Sequence, residues 1–245
     1  MPRFFDEDRG TIIHDDRNQI RLVVIDGMPI VLKRFKRRNL KGRLRHTFFR
    51  KNKARCAFEN AKELLKRGFD TPQPIAYQEV RRMGIIEQVY FACEYTDASM
   101  VDGRLTDKKL FDKELAIAYA RFVAKMHESG VLHCDLNPLN TLVKEREGQY
   151  DFQLIDINRM QFFNGPVPKK ESMEEWNLLW WFSDEWLFML REYAAIRGWT
   201  EDDVALAIAI KKQHDDWWVS TNRYNKRIFG ERPRDKYSFG SDHLT

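Results

Sequence analysis

The sequence predicts an α+β fold with two lobes, a small β-rich N-terminal lobe with one main helix and a mostly helical C-terminal lobe. Short apolar runs separated by polar turns fill residues 11–35, and the Asp-Gly pair at 26–27 is typical of a tight β-hairpin. Beyond residue 97 the apolar residues recur every three or four positions, which indicates helices with one buried face. We therefore expect the N-terminal lobe to span residues 1–96 and the C-terminal lobe residues 97–245.

The N-terminal lobe is expected to contain five strands and a helix that ends at Gly68. A turn-rich stretch at 70–74, with two prolines, separates that helix from the strands that follow. The expected elements are strands at 11–14, 20–25 and 30–35, a helix at 53–67, and strands at 74–80 and 85–95.

The C-terminal lobe is expected to begin with a helix at 112–129. Two further amphipathic regions, 172–196 and 200–219, predict long helices, the first opened by Ser172 and Glu175 as a capping box. The aromatic residues within 176–189 are typical of core packing, although a membrane interface would also use such residues.

One segment between these helices has the composition of a phosphoryl-transfer site. It reads His-Cys-Asp-Leu-Asn-Pro-Leu-Asn over residues 133–140, and a later apolar strand ends in Asp156. Asp135 would orient a hydroxyl nucleophile, while Asn140 and Asp156 would supply oxygen ligands for Mg²⁺, because moving a γ-phosphoryl group requires mostly positioning and charge neutralisation. A strand at 141–143 paired with 152–155 would bring Asp156 beside Asn140.

Composition limits the possible protein classes. The chain has 245 residues with 43% hydrophobic and 13% aromatic content, which fits a folded globular protein. Its three cysteines, Cys56, Cys93 and Cys134, lack C-x-x-C spacing, which argues against a disulfide framework and a zinc site. Because the sequence shows neither an apolar export signal nor an apolar stretch long enough to cross a bilayer, we expect a cytoplasmic protein.

The positive charge of the chain is concentrated in residues 33–55. The formal net charge is +5, from 42 Lys and Arg against 37 Asp and Glu. The segment holds no acidic residue and twelve basic ones: Lys33, Arg34, Lys36, Arg37, Arg38, Lys41, Arg43, Arg45, Arg50, Lys51, Lys53 and Arg55. Such density predicts an anionic partner, because the charges repel one another in its absence; a solvated face is the alternative.

Four residues of the N-terminal lobe are candidates for binding a nucleotide. Lys33 lies on the third strand, where a kinase-like lobe carries the lysine that grips the α- and β-phosphates. Glu59 is the candidate for an ion pair with Lys33, and Glu63, on the same helix face, is the alternative. Glu94 and Tyr95 lie at the expected hinge, whose backbone groups would meet the adenine edge.

Residues 133–140, together with Leu-Ile-Asp-Ile-Asn-Arg at 154–159, resemble the lipopolysaccharide kinase family within the protein-kinase-like superfamily. The likeness extends over about residues 10–165. It implies a two-lobed protein-kinase-like fold, with ATP and Mg²⁺ as cosubstrate and metal. The acceptor it implies is a sugar hydroxyl, of Kdo or heptose, on an anionic lipopolysaccharide precursor, so the enzyme would work at the cytoplasmic face of the inner membrane with the basic segment against anionic lipid.

Four features depart from the kinase pattern. No glycine-rich loop joins the first two strands, so Arg17 or Asn18 would have to contact the phosphates instead. Ala57 stands where relatives often carry the helix glutamate, and Cys134 replaces the arginine that protein kinases have before the catalytic Asp. No Ala-Pro-Glu segment follows Asp156, which disfavours a peptide substrate.

Two other functions remain open from the sequence. The chain could be an atypical kinase for a small molecule, a protein or an RNA-linked partner, although only three aromatic residues interrupt the basic segment and no RNA-binding motif occurs. Alternatively, the missing glycine-rich loop would fit a catalytically inactive nucleotide-binding scaffold. The presence of Asp135, Asn140 and Asp156 favours an active phosphotransferase.

Overall fold

A computed structural model describes residues 1–229 except 17, 38, 50 and 180, and for residues 222–229 it describes the backbone alone. Arg17, Arg38 and Arg50, named above, therefore lie outside the described residues. The described chain confirms the predicted α+β fold, with an antiparallel N-terminal sheet and a largely helical C-terminal part. The boundary at residue 96 stays a prediction.

The N-terminal lobe is built on five antiparallel strands, arranged in the order β1-β2-β3-β5-β4. Their bounds are β1 Thr11–Asp15, β2 Gln19–Ile25, β3 Met28–Arg34, β4 Pro74–Arg82 and β5 Ile85–Glu94. Since β3 is hydrogen-bonded to both β2 and β5, Lys33 lies on the central strand of the sheet.

Helices cover both faces of this sheet. They are α1 Pro2–Asp6, α2 Leu40–Phe48 and α3 Lys53–Lys66; the sequence predicted only the third. Phe5 of α1 packs on one face with Leu32 and Tyr90. Ala54 and Ala57 of α3 pack on the other face. The side chains of Asn39 and Asn52 accept hydrogen bonds from Gly42 N and Arg55 N and so cap α2 and α3, as Asn does at helix N-termini.

The C-terminal lobe combines short strands with helices. The strands are β6 Ser99–Met100, β7 Val131–Leu132, β8 Thr141–Arg146, β9 Gln149–Leu154 and β10 Gln161–Phe162. The helices are α4 Asp102–Thr106, α5 Lys113–Glu128, α6 Lys169–Trp176, α7 Asp184–Ile196 and α8 Glu201–Phe229. The single helix expected at 172–196 is wrong, because Ser183 caps a new helix by accepting a hydrogen bond from Trp186 N.

The core of this lobe forms around α5. Leu115, Tyr119 and Val123 repeat at helical spacing and have no solvent exposure. Trp176 and Trp186 are also fully buried, so the structure supports core packing for these aromatic residues. Trp180 lies outside the described residues.

Hydrogen bonds join the end of α3 and the loop after it to the C-terminal lobe. The Arg67 guanidinium donates hydrogen bonds to the carbonyl groups of Ser129 and Phe163, each at 2.9 Å. The Thr71 hydroxyl donates to the carbonyl of Leu154 at 2.7 Å. These bonds join the helix of one lobe to the loops that carry the candidate site in the other.

Within the described part of the chain, no helix combines the length and the apolar character needed to cross a membrane.

Candidate active site

The 133–140 segment forms a compact loop between β7 and β8. A short 3₁₀ turn over Pro138–Asn140 closes it, and Asn137 accepts a hydrogen bond from Leu139 N with its side chain. The Asn140 amide nitrogen donates to the carbonyl of Asp135 at 2.9 Å. Because the nitrogen is engaged in this way, the amide oxygen of Asn140 is the atom that can bind a cation.

The hairpin of β8 and β9 places Asp156 beside Asn140, as the sequence predicts. Thr141 pairs with Leu154, and the backbone N–H of Ile155 donates to the carbonyl of Asn140 at 2.9 Å. The two proposed metal-binding residues therefore stand at the base of one hairpin, where strand pairing fixes their separation.

Asp156 has a left-handed backbone with φ 54° and ψ 36°, a conformation that Asp tolerates better than most residues. Its carboxylate Oδ1 accepts hydrogen bonds from Asn158 Nδ2 at 2.6 Å and from Lys33 Nζ at 2.7 Å. Burial alone would raise the pKa of Asp156, but the positive charge and hydrogen bond of Lys33, with smaller contributions from Lys53 and His133, lower it instead. The site thus favours an ionised carboxylate at this position.

Lys33 extends from the central strand to Asp156 and joins the two lobes across the cleft. Its side chain is 15% exposed, and its ammonium lies 5.1 Å from the centre of the Phe35 ring. The ammonium is thus held between an aromatic face and a carboxylate, and its contact with nucleotide phosphates stays a prediction.

The expected pair between Lys33 and Glu59 is wrong for this structure, which describes both residues. Glu59 accepts hydrogen bonds from Lys51 at 2.6 Å and Arg55 at 2.8 Å. Those bonds lower the pKa of Glu59. The reason is helical geometry, since the buried Ala57 faces the sheet and a residue two positions later is rotated by about 200°. Glu63, the alternative, pairs with Arg67 instead.

Asp135 lies at the opening of the loop with its side chain 31% exposed. Its Oδ2 atom is 3.3 Å from a guanidinium nitrogen of Arg159, which follows Asp156 by three residues. Arg159 holds the carboxylate in place while leaving it reachable from the cleft. The sequence showed Arg159 only as part of a family-like strand ending.

Glu94 and Tyr95 lie at the end of β5, where the chain leaves the sheet. The N–H of Glu94 donates to the carbonyl of Gln73 at 2.9 Å, and that of Tyr95 donates to the carbonyl of Pro29 at 3.1 Å. Both N–H groups are thus used within the lobe, and contact of the backbone of these residues with an adenine stays a prediction. The hinge assignment of the two residues stays a prediction.

Sequence reasoning missed Glu175, which supports the loop from beneath. This residue of α6 is 3% exposed, and its carboxylate accepts hydrogen bonds from the backbone N–H of His133 at 3.3 Å and of Cys134 at 2.5 Å. It also lies 2.8 Å from Nε2 of the buried His127.

The capping-box assignment is wrong, because α6 begins at Lys169 and the Ser172 hydroxyl instead donates to the carbonyl of Pro168.

Glu175 has a clear structural task. Cys134 has a positive φ of 62°, which is unusual for a residue other than glycine. Two charge-assisted hydrogen bonds to successive N–H groups hold the backbone in this conformation. The loop is therefore fixed at the residue immediately before Asp135.

A basic cavity of about 360 Å³ opens between the β1–β2 loop, α2 and the start of α3. The described part of its lining carries one carboxylate, Glu87, which pairs with Arg37, beside the side chains of Asn18, Lys36, Arg37, Arg43, His46 and Lys53. The Asn18 side chain accepts a hydrogen bond from Lys36 N at 3.1 Å, so the loop lacking glycines is tied to the strand beside it. Lys53 also contributes to lowering the pKa of Asp156, so a positive charge of the cavity lining acts on a carboxylate of the candidate site.

The carboxylate of Asp156 and the amide oxygen of Asn140 are donors of the kind that Mg²⁺ prefers, and their binding of this ion stays a prediction. Among the residues that the structure describes, no three His, Cys, Asp or Glu side chains form a metal-binding cluster. Mg²⁺ does not need one, because it commonly takes one or two protein oxygens and fills its other positions with water and phosphate oxygens.

Comparisons with known proteins point to one family. The model of the lipopolysaccharide kinase (Kdo/WaaP) family matches residues 7–205. A 3-deoxy-D-manno-octulosonic acid kinase of Photobacterium profundum is 29% identical over 151 residues, which cover 60% of this chain and 62% of that protein. A protein of the same name from Vibrio parahaemolyticus is 27% identical over 157 residues, which cover 62% and 64%. The chain thus spans less than two thirds of the length of these curated relatives.

A solved structure described as WaaP in complex with acyl carrier protein has the same fold. Its TM-score is 0.60 at 18% identity, and the match covers 88% of this chain and 92% of that one. The likeness confirms the predicted kinase-like fold.

Proposed function

Because this chain belongs to the lipopolysaccharide kinase (Kdo/WaaP) family, we propose that it transfers the γ-phosphoryl group of ATP to a sugar hydroxyl of the lipopolysaccharide inner core. One observation carries the proposal: Lys33 of the N-terminal sheet meets Asp156 at 2.7 Å, beside Asn140, whose side chain is hydrogen-bonded to the backbone of Asp135. A lysine for phosphates, two oxygen ligands for a cation and a carboxylate for the nucleophile are the groups that phosphoryl transfer uses.

Asp135 is the residue that contacts the hydroxyl group of the acceptor. Its partly exposed carboxylate orients the sugar hydroxyl and accepts its proton as the bond to phosphorus forms. Arg159 keeps that carboxylate in one position, and the carboxylate of Glu175 holds the backbone of the residue before it. Orientation of this kind is a large part of the catalytic effect, since it replaces a chance encounter by a held geometry.

The nucleotide and its metal are bound by three residues, Lys33, Asp156 and Asn140. Lys33 would contact phosphate oxygens of bound ATP, and the carboxylate of Asp156 and the amide oxygen of Asn140 would hold Mg²⁺. When bound, Mg²⁺ neutralises charge on the phosphate oxygens. Asn158 keeps its hydrogen bond to Oδ1 of Asp156 and so maintains the orientation of the carboxylate as Lys33 turns to the phosphates.

The acceptor is proposed to be Kdo, an acidic sugar, with heptose as the alternative. Two observations support it: the relatives named 3-deoxy-D-manno-octulosonic acid kinase, and the basic cavity next to the cleft. The basic side chains of that cavity would attract the carboxylate or phosphate groups of the acceptor. The basic segment 33–55 would at the same time draw the enzyme to the anionic surface of the inner membrane, on its cytoplasmic side.

The test is transfer of labelled γ-phosphate from ATP, with Mg²⁺, to purified inner-core glycolipid that ends in Kdo. We expect labelled glycolipid with the unaltered protein and none with Asp156→Ala. Asp151→Ala, at an exposed carboxylate of β9, is the matched control and should keep full transfer. Labelling of a heptose-ended glycolipid alone would exclude Kdo. ATP binding without transfer to either acceptor would contradict the proposal and favour another acceptor or an inactive scaffold.

A further inference from the structure

Helix α2 is attached to the rest of the protein by polar contacts. The Arg43 side chain donates a hydrogen bond to the carbonyl of Ile86 at 2.9 Å, and Thr47 Oγ1 accepts one from Ile86 N at 3.0 Å. The structure describes all nine residues of this helix, and no side chain among them is buried. The helix is therefore docked by one hydrogen-bonded edge and contributes nothing to the core.

The apolar side chains of α2 point away from the protein. Leu40, Leu44 and Phe48 recur at every fourth position, so they form one stripe, roughly 12 Å long. Their exposed fractions are 59%, 37% and 66%, and the adjoining Phe49 is 83% exposed. A helix at the surface of a globular protein normally turns such a stripe inward, so an outward stripe marks a contact surface.

Positive charge borders this stripe. Lys41 and Arg45 are exposed and follow Leu40 and Leu44 by one position, which places them about 100° around the helix. No acidic residue occurs anywhere between residues 33 and 55. An apolar stripe flanked by basic residues alone is the composition of helices that lie in the interface of an anionic bilayer.

We propose that α2 docks the protein on an anionic lipid bilayer, with Leu40, Leu44 and Phe48 inserted at the interface and Lys41 and Arg45 against the headgroups. Arg43 and His46 of the same helix line the basic cavity. Docking through α2 thus brings the cavity to the lipid surface, where a glycolipid acceptor lies. The benefit to catalysis rests on the proposed function, whereas the docking itself does not.

The first measurement is co-sedimentation with vesicles of phosphatidylcholine alone or of phosphatidylcholine with phosphatidylglycerol. We expect binding to the anionic vesicles only, and a loss on the order of tenfold or more for Leu44→Ser with Phe48→Ser. The Lys41→Glu, Arg45→Glu protein should no longer bind the anionic vesicles, and we expect this loss to be measurable at low salt. The matched control is Val24→Ser with Met28→Ser, which removes two apolar side chains of the β2–β3 hairpin that are 69% and 59% exposed and should bind as the unaltered protein does.

Three results would overturn the docking proposal. They are equal binding to neutral and anionic vesicles, unchanged binding of the Leu44→Ser, Phe48→Ser protein, and conversion of a dimer to a monomer by that variant. The last would show that the stripe contacts a second copy of the chain. Circular dichroism of all three double variants checks that the fold is intact, which the exposure of all six side chains predicts.

A second measurement separates docking from the kinase proposal. The Leu44→Ser, Phe48→Ser protein is expected to phosphorylate a deacylated, water-soluble acceptor at the unaltered rate, while losing on the order of tenfold on the same acceptor embedded in anionic vesicles. A rate unchanged on vesicles would contradict docking as a route to the acceptor. If even the unaltered protein fails on the soluble acceptor, the proposed function fails, and vesicle binding alone decides the docking proposal.

Discussion

The two halves of the candidate site are held in different ways. Asp135 follows a stretch of backbone that is fixed by a buried group, the Glu175 carboxylate, which accepts hydrogen bonds from the N–H groups of His133 and Cys134. Lys33 is held by an ion pair to the carboxylate of Asp156, which is 34% exposed, and by the face of the Phe35 ring. Buried hydrogen bonds to charge are strong, whereas partly exposed ion pairs contribute little. We therefore expect the proposed acceptor half to be formed in advance and the proposed nucleotide half to adjust when ATP binds.

The largest effect is expected for Asp135→Asn. Removing the group that orients the hydroxyl and accepts its proton should lower kcat by about 10²- to 10⁴-fold, with little change in stability because the side chain is partly exposed. Steady-state kinetics of phosphate transfer measures this, with Asp151→Asn as the control. A kcat within twofold of the unaltered enzyme would remove Asp135 from the mechanism.

Glu175→Gln tests whether the acceptor half is formed in advance. It replaces the carboxylate that accepts from two backbone N–H groups, so we expect the free energy of unfolding to fall by about 1–3 kcal/mol. We also expect kcat to fall while KM for ATP changes little. Urea denaturation and kinetics provide the two readouts. Glu174→Gln, at the exposed neighbouring position, should leave both unchanged; equal effects of the two substitutions would argue against a role for the buried carboxylate.

Lys33→Met tests the nucleotide half through pH. The folded protein lowers the pKa of Asp156 from 3.8, so the ionised carboxylate contributes stability above that value and loses it as pH falls through the lowered pKa. Without Lys33 the loss of stability between neutral and acid pH should shrink, by less than about 1 kcal/mol for so exposed a pair. KM for ATP should rise. Unfolding curves at several pH values below 6 would show an unchanged acid slope if Lys33 were not the cause.

Glu59→Gln should have the smallest effect. Its partners Lys51 and Arg55 form a surface cluster, so we expect a change in unfolding free energy within about 0.5 kcal/mol and an unaltered KM for ATP. A KM for ATP raised several-fold would instead mean that Glu59 reaches Lys33 once the nucleotide is bound, and that the nucleotide half rearranges more than the present pairing implies.

Local pattern accounts for what the sequence predicted correctly. The hairpin that brings Asp156 to Asn140 depends on two neighbouring strands and the turn between them, all within residues 141–156. Lys33 was identified from the strand that carries it, and the structure places it at Asp156, although its role is still untested.

The errors arise where distant contacts override local pattern. Glu175 lies forty-one residues after Cys134 in the chain, and nothing near it indicates which backbone its carboxylate meets. Glu59 was chosen by its position along the helix, whereas the direction in which α3 faces the sheet depends on the packing of Ala54 and Ala57. Helix α2 was missed because dense positive charge obscured the spacing of three apolar residues that was visible in the sequence.

The tip of the β8–β9 hairpin can be lengthened without moving the candidate site. Its tip is formed by Glu147 and Gly148, exposed residues with φ values of 49° and 76° that match a two-residue turn of type I′. Strand pairing at the opposite end, between Thr141 and Leu154, sets the distance between Asn140 and Asp156, the two proposed metal-binding residues. Lengthening the tip leaves that distance unaltered, so residues 147–148 are a suitable place to insert a fluorescent label or an affinity peptide.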